Sequence, residues 1–400
     1  MAKRSLAKYF GGLAIIAMST HAFAIDPRPI EFGGMSFVPT LTVDESYDDN
    51  VWDAPPNNLN GAQSSWVTKI TPDFILRAQD RLNVYQLGYK LTREEVHSSK
   101  EDSHTDHDVT ALAHMEFNAR NRLDLKATYQ DLTARRDAVN NFFNETGNES
   151  KSYNLGGLYG FGAKTAKGQI EVGLNRGWLR YDNNYDTGSR NQESERDVVD
   201  FGTIFYYRVA PKTRLLTEFQ HHDYDYLDSN SILDGDSQIY RVGVSWDATA
   251  KTSGIIKIGR ERKKFDEPGE STVSNPSWDA SITWLPRTYS SFTLSSKNLI
   301  EEGSSTENYI ETDSSSLAWN HRWGVKLSSE LKYTYEVQDF LGDINDGRTD
   351  KIDKFNVGVN YHFRRWADIG LHYEYYDNDS NFKAAEYDRH VVGIKLNLSL

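Results

Sequence analysis

The chain has 400 residues, no cysteine, and 45 Lys+Arg against 58 Asp+Glu, for a formal net charge of −13. Without cysteine there is no disulfide framework, thiol nucleophile or lipid-modified N-terminus, and the acidic excess argues against a nucleic-acid partner, which calls for a basic patch. The mean hydropathy of −0.67 excludes a helical membrane protein but not a transmembrane β-barrel, which needs apolar residues only at alternate positions.

Lys3, Arg4 and Lys8 precede an apolar stretch over residues 9–18, and Ala22, Phe23 and Ala24 supply a small-x-small cleavage site. That order of parts predicts a secretory signal over residues 1–24 and a barrel over 25–400. The alternative, a membrane anchor, needs ~20 apolar residues.

From residue 36 onward one pattern repeats. In 325–337, Val325, Leu327, Leu331, Tyr333, Tyr335 and Val337 alternate with Lys326, Ser328, Glu330, Lys332, Thr334 and Glu336. A period of two sends the first set to one face of a strand and the second to the other. In chain order the pattern predicts strands at 36–48, 65–77, 82–96, 105–118, 122–137, 151–162, 168–182, 195–209, 213–227, 237–247, 252–265, 275–285, 288–300, 311–321, 325–338, 353–363, 367–377 and 388–400. The expected fold is therefore all-β: an antiparallel transmembrane barrel of about eighteen strands, with sixteen as the alternative, both even as bacterial barrels require.

The connections fall into two classes. Those at 78–81, 119–122, 210–213, 286–287, 322–324 and 364–365 are short and carry Arg or Lys, whereas 49–64, 182–194, 266–274, 301–310 and 340–350 are long. Outer-membrane barrels keep short turns in the periplasm and longer loops outside, which orients the chain. Val392, Ile394, Leu396, Leu398 and Leu400 alternate to the last residue, as expected of a strand that closes a barrel. Such a terminal strand resembles those read by the barrel-assembly machinery, although Leu400 stands where Phe is usual.

Trp246, Trp284, Trp323 and Trp366 lie beside short turns, where an interfacial aromatic girdle is expected. The pleat sends Lys126, Arg208, Glu218, Arg241, Lys326, Glu330, Lys332, Glu336, Glu374 and Lys395 inward. These mixed charges either pair and solvate the wall or line a path for a polar, sugar-like solute, for which inward Tyr206 would be a stacking surface.

No catalytic site is expected. His221, His222 and Asp223 are the densest constellation, but neighbours on a strand point to opposite faces. The acidic runs at 234–236, 343–347 and 377–379 lack the spacing of a calcium loop, so no metal or cofactor is expected, apart from divalent bridging to lipopolysaccharide phosphates at the rim. Nor does the sequence carry a nucleotide-binding loop or a block before the first strand that could form a plug.

An early strand ending in Tyr47, Asp48, Asp49 and Asn50, followed by aromatic strands to the C-terminus, resembles an outer-membrane β-barrel porin family whose members accompany exopolysaccharide or capsule biosynthesis. The resemblance implies a conduit for exopolysaccharide export, with outer-membrane lipid, lipopolysaccharide, the polysaccharide and periplasmic export components as partners. A porin for small polar solutes is the alternative, and an outer-membrane hydrolase or purely structural barrel is the third.

Overall fold

Alternation produces strands here because each run can hydrogen-bond on both sides and bury its polar face in a shared interior. The computed structural model describes residues 29–55, 62–136, 146–185, 190–249, 251–267, 272–304, 307–342 and 346–399. The predicted signal segment, Leu400, 57–61, Asn140, Asn141 and most of 343–347 lie outside them.

A short strand, β1 (Ile30–Phe32), leads into eighteen long ones: β2 (Met35–Asp48), β3 (Ser65–Asp80), β4 (Asn83–Val96), β5 (His104–Asn118), β6 (Asn121–Thr133), β7 (Glu149–Phe161), β8 (Gly168–Tyr181), β9 (Arg196–Ala210), β10 (Thr213–Tyr226), β11 (Gly235–Thr249), β12 (Thr252–Phe265), β13 (Val273–Arg287), β14 (Ser290–Ser304), β15 (Glu307–Arg322), β16 (Leu327–Leu341), β17 (Arg348–Arg364), β18 (Ala367–Ser380) and β19 (Tyr387–Ser399). Every consecutive pair is antiparallel, and β19 returns to β2 from Val391↔Asp48 to Ser399↔Thr40, which closes the barrel. Eighteen is the number the alternation predicts. The extra piece, β1, is a hairpin arm on β2.

Closure matters because hydrocarbon offers no partner to an open sheet edge. The long strands run from 13 to 17 residues, or roughly 30–40 Å of height once tilted, against an apolar band about 25 Å tall. Their ends therefore stand beyond the membrane. Tyr240, Val242, Ile258, Leu294, Leu317, Val392 and Ile394 are exposed on the outside. Val242→Arg places a charge near mid-membrane and is expected to destabilise the barrel by about 2–4 kcal/mol in urea titration. Lumen-facing Thr334→Arg should cost less than about 1 kcal/mol by the same assay; equal costs would show that the faces are misassigned.

One predicted connection is strand. Residues 301–310 belong mostly to β14 and β15, which pair up to Ser304↔Glu307, so the apparent loop is a strand extension whose acidic side chains are held by partners. A second departure lies beside it. Pairing of β13 with β14 ends at Asp279↔Lys297, although β13 continues on β12 to Val273 and β14 continues on β15 to Ser304. The wall is split there over its long-loop end.

Candidate functional site

The interior is the candidate site, and it has three parts. The first is the seam. Asp48, on the last turn of β2's pleat, faces inward and is 1% exposed. Arg389 of β19 donates to it from Nη2 at 2.7 Å and from Nε at 3.0 Å, and Arg135, beyond the end of β6, donates from Nη1 at 2.8 Å. Arg135 also lies 3.6 Å from Glu94 on β4. Asn50 amide nitrogen donates to the carbonyls of Ala54 and Asp388, while its oxygen accepts from the Ala54 N–H. The Asp49 carboxylate accepts from the His390 N–H, and Tyr47 points outward against Trp66 at 5.6 Å between ring centres. The Tyr-Asp-Asp-Asn run thus ties the first long strand to the last. Asp and Asn after a strand also favour a turn, and that preference alone does not show this role.

The second part is a charged wall on β8 to β13. Glu218 and Arg241 are cross-strand partners; the carboxylate accepts from Arg241 at 3.3 Å and from Lys257 at 3.2 Å. Lys257 also reaches Asp279 at 2.8 Å, and Arg241 donates to Ser277 Oγ at 2.7 Å. Four residues further along β10, Asp200, His222 and Ser237 follow one another across β9, β10 and β11. His222 Nδ1 lies 2.7 Å from Asp200, and Asn175 donates to the same carboxylate at 2.8 Å. Ser237 Oγ donates to Glu261 at 2.7 Å rather than to the imidazole. All three side chains of the row are buried, so no substrate reaches them as the wall stands. His221 faces away, 4.0 Å from Asp236.

The third part is uncharged. Ser281, Ser295, Ser316 and Thr334 occupy one register row across β13, β14, β15 and β16. Their neighbours Leu294 and Leu317 are exposed outward, so the pleat turns the four hydroxyls into the lumen. Ser281 and Ser295 hydroxyls lie 3.3 Å apart, and Thr283 and Thr293 repeat the pairing at 3.2 Å. Hydroxyls donate and accept at once. No sequence motif singled out this row, because its four members are distant in sequence and become neighbours only through register.

The remaining inward charges are distributed around these parts. Glu336 pairs with Lys354 at 3.5 Å, and Lys395 with Asp44 at 3.5 Å. Glu330 and Lys332 share the inward face of β16 and are exposed to the lumen. Lys126 on β6 and Glu374 on β18 also follow the inward pleat, at positions facing Gly156 and Asn356 respectively. Arg208 donates to the Lys164 carbonyl in the β7–β8 connection, and Tyr206 is buried beside it. Lys326 is the exception: β16 begins at Leu327, and the ammonium lies 6.0 Å from the ring of outward-facing Tyr361. The strand starts later than the alternation suggests, so Lys326 belongs to a turn and not to the inner wall.

At the short-turn end, Trp284, Trp323 and Trp366 are exposed. Trp284 stacks on Phe292 at 5.4 Å and Phe292 on Trp319 at 6.0 Å, with Trp323 edge-on to Trp319. Trp246 lies over Gly254, where an added Cβ would come within 2.7 Å of the indole. Trp319, not singled out by its sequence position, joins this ladder through cross-strand contact. Among the described residues no three carboxylate or imidazole groups gather as a cation site.

A family model described as "Putative beta-barrel porin 2" matches residues 24–400. The chain belongs to that family. No curated protein matches this porin by sequence. Among solved structures it is similar to the outer membrane protein OpdK of Pseudomonas aeruginosa, with 9% identity, 91% of this chain and 99% of that one covered, and a TM-score of 0.50. OccK2 (OpdF) of the same organism gives 10% identity, 91% and 98% coverage, and 0.50. The FrpB iron transporter of Neisseria meningitidis gives 9% identity and 0.46, with 86% of this chain aligned to 62% of that one. At such identities the likeness concerns the fold. The chain is a porin-like β-barrel of the outer membrane.

Proposed function

We propose that this porin conducts hydroxyl-rich polar solutes across the outer membrane, and that its cargo is an exopolysaccharide leaving the periplasm. The observation that carries the reading is the row of Ser281, Ser295, Ser316 and Thr334, flanked by Lys297 and Lys332 on the same inward pleat. A sugar polymer presents a hydroxyl at every position, and a wall of hydroxyls exchanges hydrogen bonds with it at nearly constant energy as it advances. Strong point charges would hold it in place; here many charges are paired with each other. Export, as opposed to uptake, draws on the strand-one resemblance. Passage of small polar solutes is a second reading, supported by membership of a porin family.

In the export reading, residues 1–24 direct secretion and are cleaved, the barrel-assembly machinery inserts the chain, and the girdle tryptophans seat it against lipid and lipopolysaccharide. Periplasmic export components would deliver the polymer. The test is deletion of the gene in its own host, with periplasmic and released polymer assayed separately. Polymer retained in the periplasm is the expected result; unchanged secretion, together with slower uptake of small sugars, would replace export by the second reading.

A further inference from the structure

The split between β13 and β14 has an unusual consequence for which face of β14 sees what. Leu294 and Glu302 lie on the same face of one strand, since the β14–β15 register is unbroken from Ser290↔His321 to Glu302↔Tyr309. Leu294 is 51% exposed on the outside of the barrel. Glu302, however, accepts from Lys263 Nζ at 2.5 Å and from the Tyr226 hydroxyl at 3.0 Å. Lys263 and Tyr226 belong to the inner faces of β12 and β10, and Lys263 is fully buried. The Ile300 N–H likewise donates to Glu261 on the inner face of β12, at 3.3 Å. Tyr309, paired with Glu302, packs on inward Phe265 at 6.2 Å.

These contacts have one geometric solution. Above Lys297 the end of the β14–β15 hairpin has passed inside the barrel, with its outer face resting on the inner wall of β10 to β12. Between the two layers lie Val198, Tyr224, Tyr226, Leu233 and Phe265, with Val273 and Tyr309 packed against them, a small apolar core of the kind found between stacked sheets. The freed edge of β13 carries Pro276, a residue confined to edges, strand starts or bulges because it lacks an N–H. The outward residues of that edge, Ser274 and Pro276, lie beyond Trp278 toward the long-loop end.

We propose that the end of the β14–β15 hairpin, Asn298–Ser304 with Glu307–Thr312, is a lid that closes the long-loop mouth of the lumen and is held by the Lys263–Glu302–Tyr226 latch. A buried ion pair is a poor source of net stability but a good register lock, because removing either member leaves the other charged and unsatisfied. On release, the hairpin swings outward and widens the mouth beside the hydroxyl row. The lid rests on the conducting lumen of the proposed function.

The chain lacks cysteine, so engineered thiols are its only ones. Single-channel conductance in planar bilayers is measured for wild type, E302Q, K263M, the milder Y226F, and K263C/E302C bridged by a reducible thiol cross-linker. Folding is checked by heat-modifiable gel migration. Open probability is expected to rise about ten-fold or more in E302Q and K263M, to rise less in Y226F, and to fall to zero in the bridged protein until the bridge is reduced. If E302Q and K263M do not fold, Y226F and the bridge decide the matter. Steady conductance indifferent to every folded variant and to the bridge would overturn the lid alone. Silent bilayers from every variant would overturn both the lid and the conducting lumen.

Discussion

Asp48→Asn is expected to loosen the closing seam of the barrel and to lower unfolding free energy by about 3 kcal/mol, read as an earlier loss of heat-modifiable migration in urea. Asp48 takes bonds from two guanidinium groups, Arg389 and Arg135, whose side chains are 13% and 23% exposed. An amide of the same shape can accept from one of them but cannot neutralise either. The loss sits at the lower end of what breaking a buried pair costs, because the Asp53 carboxylate remains 3.6 Å from Arg389. The double variant D48N/R389Q should recover part of the loss, since it removes the stranded cation along with its partner. A shift of less than about 1 kcal/mol in D48N would mean that the β2–β19 ladder closes the barrel without the clasp.

Glu218→Gln is expected to have a comparable effect on the inner wall, together with a change in ion preference. The Glu218 carboxylate is fully buried between Arg241 and Lys257, whose side chains are 7% and 4% exposed. Removing its charge leaves the wall more positive by one, and Lys257 retains only Asp279 at 2.8 Å. Stability should fall by about 3 kcal/mol, and the reversal potential in a salt gradient should move toward anion preference. The pair E218Q/R241Q should restore the wild-type reversal potential. If E218Q folds with unchanged selectivity, this wall lies apart from the conducting path.

The two variants probe features of different legibility. The strand that carries Glu218 is plain in the sequence, because a period-two run between a short basic connection and a longer acidic one reads as a strand. The inward direction of Glu218 and Arg241 follows from the same alternation, and the structure pairs them in register. By contrast, Asp48 and Arg389 are 341 positions apart. Asp and Asn after a strand read equally well as a turn, and only the return of the last strand makes Asp48 an anchor. The hydroxyl row is hidden for the same reason: serine and threonine are ordinary at every one of its positions, and four strands must be set side by side before they form a surface. Lys326 lies at a strand boundary, one residue before β16 begins, where the alternation in the sequence runs on past the end of the strand.

The sequence by itself determined the period, a count of about eighteen long strands, and the separation of short basic turns from long loops at every named connection but 301–310. All of these depend on dihedral preference, on the two faces of a pleat and on local chain reversal. Only the tertiary structure decided what each face meets. From Leu294 to Glu302 the register on β15 never shifts, yet the same face passes from lipid to the inner wall of β12, because a strand records which side chains share a side and not which body will cover that side. That choice is made by closure of the sheet and by its failure to pair above Asp279, and both are contacts between segments far apart in the chain.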